Sequence, residues 1–230
     1  MKRVWLWWSS GKDSAWALHV LRQRRDLEVQ LLIATVNERF NRVAMHAVRL
    51  EVLHLQAEAA GVPLREIRIP HPCSNSEYEH AVAKLLDQAA QEGVGFMAFG
   101  DLFLQDVRAY RERLLADTGI SPLFPLWGMD TVKLSRYMIA AGLRAFVTCV
   151  DPKHLAKEFA GREFDVSFLN ELPQSVDPCG EYGEFHTFAF DGPMFSYPIN
   201  VKVGEIIERE GFVFADVYAL HERPGTSVTK

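Results

Sequence analysis

The chain has 230 residues, 48% of them hydrophobic, with 25 lysines and arginines against 30 acidic residues, a net charge of −5. That length and apolar content exclude a disordered chain and suffice for one large domain or a full domain with a smaller appendage, while the acidic balance argues against an extended nucleic-acid footprint. No apolar run approaches the roughly 18 to 20 residues of a membrane span, and Cys73, Cys149 and Cys179 lack C-x-x-C spacing, so a cytoplasmic protein without a disulfide framework or zinc site is expected.

The first apolar run, VWLWW (4–8), reads as a strand and meets SSGKDS (9–14), followed by the amphipathic AWALHVL (15–21). A small-residue loop between a strand and a helix start offers backbone amides and a positive dipole end to a phosphate group. The same letters also make an ordinary turn and N-cap. Lys12 suits an anion, whereas Asp13 must cap the helix, hold a cation such as Mg²⁺ or repel the ligand. A Walker A loop is excluded because Leu6 stands where its first Gly belongs and Asp13 where its hydroxyl belongs. GVGFMA (93–98) precedes a strand-like run, so it reads as a helix stop at Gly93 or Gly95 and not as a dinucleotide fingerprint.

Strand-like and helix-like segments then alternate: VQLLIATV (29–36), a helical pattern near 43–60 ending at Gly61, LREIRIP (64–70), and a helix from about 76 with a Ser76–Glu79 capping box. FMAFGD (96–101), a helix near 103–117, ISPLFPLW (120–127), a helix opened by Asp130 and LRAFVTCV (143–150) continue the rhythm. The expected architecture is α/β, a Rossmann-like, mostly parallel doubly wound sheet over residues 1–150. Beyond residue 151 the turn-rich PQSVDPCGEYGEF (173–185) and strands at HTFAFD (186–191), VKVGEII (201–207) and FVFADVYAL (212–220) predict a smaller α+β domain over 151–230, packed tightly on the first. The final ERPGTSVTK is expected to fray.

Ligands of open α/β sheets collect beyond the carboxyl ends of the strands, which selects the 9–14 loop, Thr35 with Asn37, and Gly100 with Asp101. Asp101 reads equally as the N-cap of the next helix. Arg108 and Arg111 share a helix face and could reach phosphate or a carboxylate, or pair with Asp106 or Glu112. GEYGEFHTF (180–188) is the other dense constellation: Gly180 and Gly183 permit a tight turn, and Glu181, Glu184 and His186 offer acid–base or metal-binding groups, although a polar hairpin turn would look the same.

SSGKDS resembles the PP-loop of the ATP pyrophosphatase superfamily, SGGxDS, with Ser10 in place of the second Gly. Together with GEYGEFHTF, FDGPMF (190–195), Met45-His46, Gly100-Asp101 and PLFPLWG (122–128), it makes the chain similar to the diphthine-ammonia ligase family over nearly its whole length. The resemblance implies ATP with Mg²⁺, an active cleft between the two domains, and adenylation of a carboxylate followed by attack of free ammonia. It implies phosphate binding by Ser9, Ser10, Gly11 and Ser14, charge stabilisation by Lys12, a cap or cation role for Asp13, and ammonia or a second cation at Glu181 and Glu184. The acceptor would be a carboxylate on an elongation factor 2-like protein or on a small molecule. A tRNA-thiolating PP-loop enzyme and a non-catalytic adenine-nucleotide sensor remain as alternatives; the isolated cysteines count against the first.

Overall fold

The structure, a computed structural model, describes residues 1–43 and 47–220; Met45-His46 and the ERPGTSVTK tail lie outside the described residues. Strands β1 (Lys2–Trp7), β2 (Leu27–Asn37), β3 (Arg42–Val43), β4 (Leu64–Ile69), β5 (Phe96–Ala98) and β6 (Ser121–Leu123) form the first sheet. β4, β2, β1, β5 and β6 lie side by side in parallel, and β3 pairs antiparallel with the end of β2. Helices α1 (Lys12–Arg22), α2 (Leu50–Ala60), α3 (Asn75–Gln91) and α4 (Gln105–Leu115) alternate with these strands, as a doubly wound fold requires.

The apolar run of β1 follows from burial on both faces. Val4 and Leu6 join one hydrophobic cluster, with Trp16 and Leu18 of α1, while Trp5 joins a second, with Leu85 and Leu86 of α3. Side chains alternate across a strand, so a centre strand covered by helices on both sides is apolar at every position. The strand order reverses between β1 and β5, and this switch point opens a crevice at their carboxyl ends.

The second sheet contains β7 (Arg144–Val150), β8 (Phe185–Asp191), β9 (Val201–Arg209) and β10 (Phe212–Ala219), ordered β8-β7-β10-β9 and antiparallel throughout. Helix α5 (Thr131–Ala140) leads into it, and a short 3-10 helix and α6 (Val166–Glu171) connect β7 to β8. Ala145, Val147, Phe188 and Val213 belong to the same cluster as Val4 and Leu6, so the two sheets share a core.

LRAFVTCV, read from sequence as one more parallel strand, thus belongs to the antiparallel sheet. Ala145, Val147, Cys149 and Val150 are all buried, and a run of that kind signals a covered strand without naming its neighbours. The capping box lies two residues earlier than expected, at Ser74 and Glu77, because Ser74 is the residue with extended backbone and its hydroxyl accepts from the Glu77 amide. β6 is shorter than the 120–127 run, which holds Pro122 and Pro125, residues that cannot donate to a ladder. Asp130 does cap α5, accepting from the Lys133 amide, and Gly61 ends α2 at φ 63°. Among the described residues no helix is long and apolar enough to cross a membrane.

Candidate active site

The 9–14 loop joins β1 to α1 at the switch point. Gly11 is the N-cap of α1, with no side-chain cap, so the reading of Asp13 as the cap is corrected: Asp13 lies inside the first turn. Ser9 Oγ accepts from the Gly11 amide at 3.3 Å and lies 3.1 Å from Ser14 Oγ, which donates to the Gly11 carbonyl. Ser10 adopts φ 68°, the left-handed conformation that a Gly at this point takes without a Cβ clash. Its hydroxyl is buried without a hydrogen-bond partner. Ser10→Gly should therefore raise stability by about 1 kcal/mol, since relief of the left-handed strain and of the orphaned hydroxyl outweighs the backbone entropy of glycine; a higher thermal midpoint checks it.

Buried polar bonds tie the loop to the second sheet. The Lys12 amide donates to Thr187 Oγ1 at 3.0 Å, and the Ala189 amide of β8 donates to the Ser10 carbonyl. Gln56 of α2, fully buried, donates to the carbonyls of both Ser10 and Ala189 and accepts from the Trp8 indole at 2.7 Å. Gln56 and Thr187 were not singled out from sequence; a glutamine among the apolar residues of α2 is the one available signal.

The Lys12 ammonium is buried, donates to Asp13 Oδ2 at 2.8 Å and to the Cys179 carbonyl, and lies over the rings of Phe164 and Phe185. Burial opposes its charge, yet Asp13 beside it holds its pKa above the usual lysine value. Burial raises the Asp13 carboxyl against the pull of Lys12, and Asp177 adds to the rise. Asp13 Oδ1 is buried and unpartnered.

Asp177 organises the 177–184 turn. Its carboxylate accepts from the amides of Cys179 and Glu181 and from Thr131 Oγ1, while its own amide donates to Glu184 Oε1. Glu184 is buried beneath this turn and does not line the cleft; its second carboxylate oxygen has no partner. Gly180, at φ 70°, must be glycine, because a Cβ there would meet the Phe185 carbonyl oxygen at 2.8 Å. Gly183 sits at the turn's outer end, its amide donating to the Gly180 carbonyl.

A cleft of about 420 Å³ lies between the two sheets. Ser9, Lys12, Asp13, Ser14, Thr35, Gly100, Asp101, Arg111, Gly180, Glu181 and His186 all line it, together with Thr187 and the rings of Trp7, Tyr78 and Phe99. Gly100 packs so closely on the first turn of α1 that a Cβ would lie 3.0 Å from the Ser14 nitrogen. Leu104, not Asp101, precedes α4 as its N-cap; Asp101 instead faces Arg111 at 3.5 Å. Thr35 turns a buried, unpartnered hydroxyl towards the same region. Asn37 and Arg108 lie outside the cleft: Asn37 accepts from the amides of Arg39 and Phe40, and Arg108 pairs with Glu112 while stacking on Phe124 and Trp127.

Glu181 accepts from the amides of Leu102 and Phe103, and burial, with Asp13 and Asp101 nearby, pushes its pKa up to about 7. Burial likewise raises Asp101 against the pull of Arg111. No group of three or more His, Cys, Asp or Glu side chains poised to hold a metal occurs among the described residues. Mg²⁺ on a nucleotide needs less, one or two carboxylates plus phosphate oxygens and water, and the unpartnered Oδ1 of Asp13, on the same cleft as the Arg111-paired carboxylate of Asp101, fits that requirement.

Residues 1–122 match the family model of the diphthamide synthase N-terminal domain, and residues 130–221 match that of the diphthamide synthase C-terminal domain. The chain belongs to the diphthamide synthase family. Proteins named diphthine–ammonia ligase are its relatives: that of Danio rerio is 29% identical over 185 residues, covering 73% of this chain and 71% of its own. Those of Mus musculus and Homo sapiens are each 30% identical over 196 residues, 77% of this chain and 70% of theirs. Both halves of the family pattern therefore meet in the cleft, the 9–14 loop from the first and the 177–187 segment from the second.

Proposed function

We propose that the protein is an ATP-dependent, amide-forming ligase that adenylates a carboxylate and passes the acyl group to ammonia, releasing AMP and pyrophosphate. The observation that carries this reading is the facing of the α1 phosphate cradle and the Glu181 carboxyl across one cleft. A carboxylate oxygen attacks the α-phosphorus and pyrophosphate departs; ammonia then attacks the acyl carbon, and AMP leaves with that carboxylate oxygen. Adenylation supplies the leaving group that a bare carboxylate lacks.

In this reading Ser9 and Ser14 receive the phosphates at the positive dipole end of α1, while Ser10 and Gly11, buried and outside the cleft lining, shape the loop instead of touching phosphate. Lys12 anchors the loop against the second sheet and keeps positive charge next to it. Asp13, with Asp101 nearby, would hold Mg²⁺, which would supply positive charge to the phosphates. Thr35 and Gly100 face the nucleotide, and Arg111 orients Asp101. Glu181 takes the proton that ammonia sheds, a role suited to a carboxyl with pKa about 7. Glu184 acts through Asp177 by holding the turn, and His186 completes the acceptor side of the cleft. Burial pushes the Cys149 thiol up to about 12 and raises Cys179 as well, the reverse of an activated sulfur carrier, which disfavours thiolation.

The names of the relatives support a diphthine-type acceptor, and the family resemblance of the sequence implies that its carboxylate is carried by an elongation factor 2-like protein. The test is incubation with ATP, Mg²⁺, diphthine-bearing elongation factor 2 and either ¹⁵N-ammonium or amide-labelled ¹⁵N-glutamine. The expected products are AMP, pyrophosphate and an acceptor amide labelled from ammonium. ADP with phosphate, or label from glutamine alone, would overturn the reading.

A further inference from the structure

A second cavity, of about 250 Å³, adjoins the cleft, and Val43 and Ile69 line both. It lies beyond the carboxyl ends of β2 and β4, closed on the other side by the hairpin between β9 and β10. Arg209, on that hairpin, is the feature that needs explaining. Its guanidinium is held against Phe40 at 4.6 Å and Phe214 at 5.2 Å, and its Nε is buried without a hydrogen-bond partner. Among the described residues no carboxylate forms an ion pair with it. The acids nearby are already engaged: Asp216 takes both Arg42 and Arg49, and Glu210 faces His71.

A guanidinium packed against two rings at the cavity wall, with an unused N–H, offers charge and a donor to a carboxylate or phosphate oxygen. An unmet buried donor is costly, so the arrangement stabilises the protein fully only when an anion arrives. The space is too small for a nucleoside triphosphate when the neighbouring cleft has about 420 Å³, and the walls supplied by Phe212, Ile69 and Pro70 are apolar. We propose that this cavity is the acceptor subsite: it seats the carboxylate-bearing arm of the acceptor, with Arg209 receiving the carboxylate and the apolar walls covering the carbon chain or ring that carries it. The proposal rests on the ligase reading for its acceptor chemistry. The shared wall at Val43 and Ile69 puts the held group next to the nucleotide cleft without displacing the nucleotide.

Saturation-transfer NMR with 3-(imidazol-4-yl)propionate as probe, a carboxylate joined by a short carbon chain to a flat ring that the apolar walls can cover, tests it. The wild-type protein should bind the probe equally well with and without a saturating non-hydrolysable ATP analogue, and should not bind histamine, which has the same ring but no carboxylate. Arg209→Gln should weaken the probe by about tenfold or more, the loss of a charge-assisted hydrogen bond, and Arg209→Lys, which keeps the charge, by less. Nucleotide binding by both variants at wild-type affinity verifies that they are folded. No binding to wild-type protein, displacement by the nucleotide analogue, or equal binding to wild type and both variants would overturn the proposal. The probe needs no turnover, so a failed subsite is distinguishable from a failed ligase reading, which shows instead as an absence of AMP.

Discussion

Lys12→Met is expected to destabilise the protein by about 3 kcal/mol, the low end of the penalty for removing one partner of a buried ion pair, because Asp13 keeps some contact with solvent. Urea unfolding measures it. The Lys12 ammonium is itself 2% exposed, and its removal would leave the Asp13 carboxyl beside Asp177 with no cation. Adding Asp13→Asn to Lys12→Met should restore much of the stability, since an uncharged pair needs no compensation, and yet restore no ATP turnover. A single variant as stable as the wild type would show that the pair contributes nothing to the docking of the loop on the second sheet.

Glu181→Gln should lower amide formation about a hundredfold or more at saturating ATP, the range for loss of a general base, while ATP affinity measured by calorimetry stays unchanged. The pH dependence gives a second readout. With a pKa of about 7, Glu181 is protonated and inactive as a base at lower pH and ionised above it. At a fixed concentration of free NH3, wild-type amide formation should therefore rise through pH 7 and level off above it, and this limb should vanish in the variant. The sign for stability is opposite: a carboxyl raised on folding binds more protons in the native state, so its contribution falls as pH rises from the ordinary glutamate value, 4.5, to about 7. The Gln variant should lose that pH dependence of the thermal midpoint.

The convergence of the 9–14 loop with Gly100 and Asp101 on one cleft was legible because its signals are local. A strand apolar on both faces, a small-residue loop and an amphipathic helix occur in unbroken order, and the rule that ligands gather at strand ends brings Gly100 and Asp101 to the same place. The rest depends on contacts distant in sequence. Nothing in GEYGEFHTF separates Glu181, which lines the cleft, from Glu184, which is buried under the turn; the difference arises from which amide each carboxylate meets, Leu102 for one and Asp177 for the other. Gln56 and Thr187 are ordinary polar residues until the second sheet docks on the loop. Strand β7 shows the same limit for the fold, since burial on both faces looks alike in either sheet. At Ser10, by contrast, the departure from the family pattern marks a real cost, a serine in backbone that suits glycine.

The transfer of oxygen is the most direct test of adenylation. With ¹⁸O in the acceptor carboxylate of diphthine-bearing elongation factor 2, and with ATP, Mg²⁺ and ammonium supplied, mass spectrometry of the nucleotide product should find one ¹⁸O in AMP for each amide formed. Label in orthophosphate accompanied by ADP would mean that the carboxylate attacks the terminal phosphate, and unlabelled AMP would mean that water does the cleavage; either result contradicts the account.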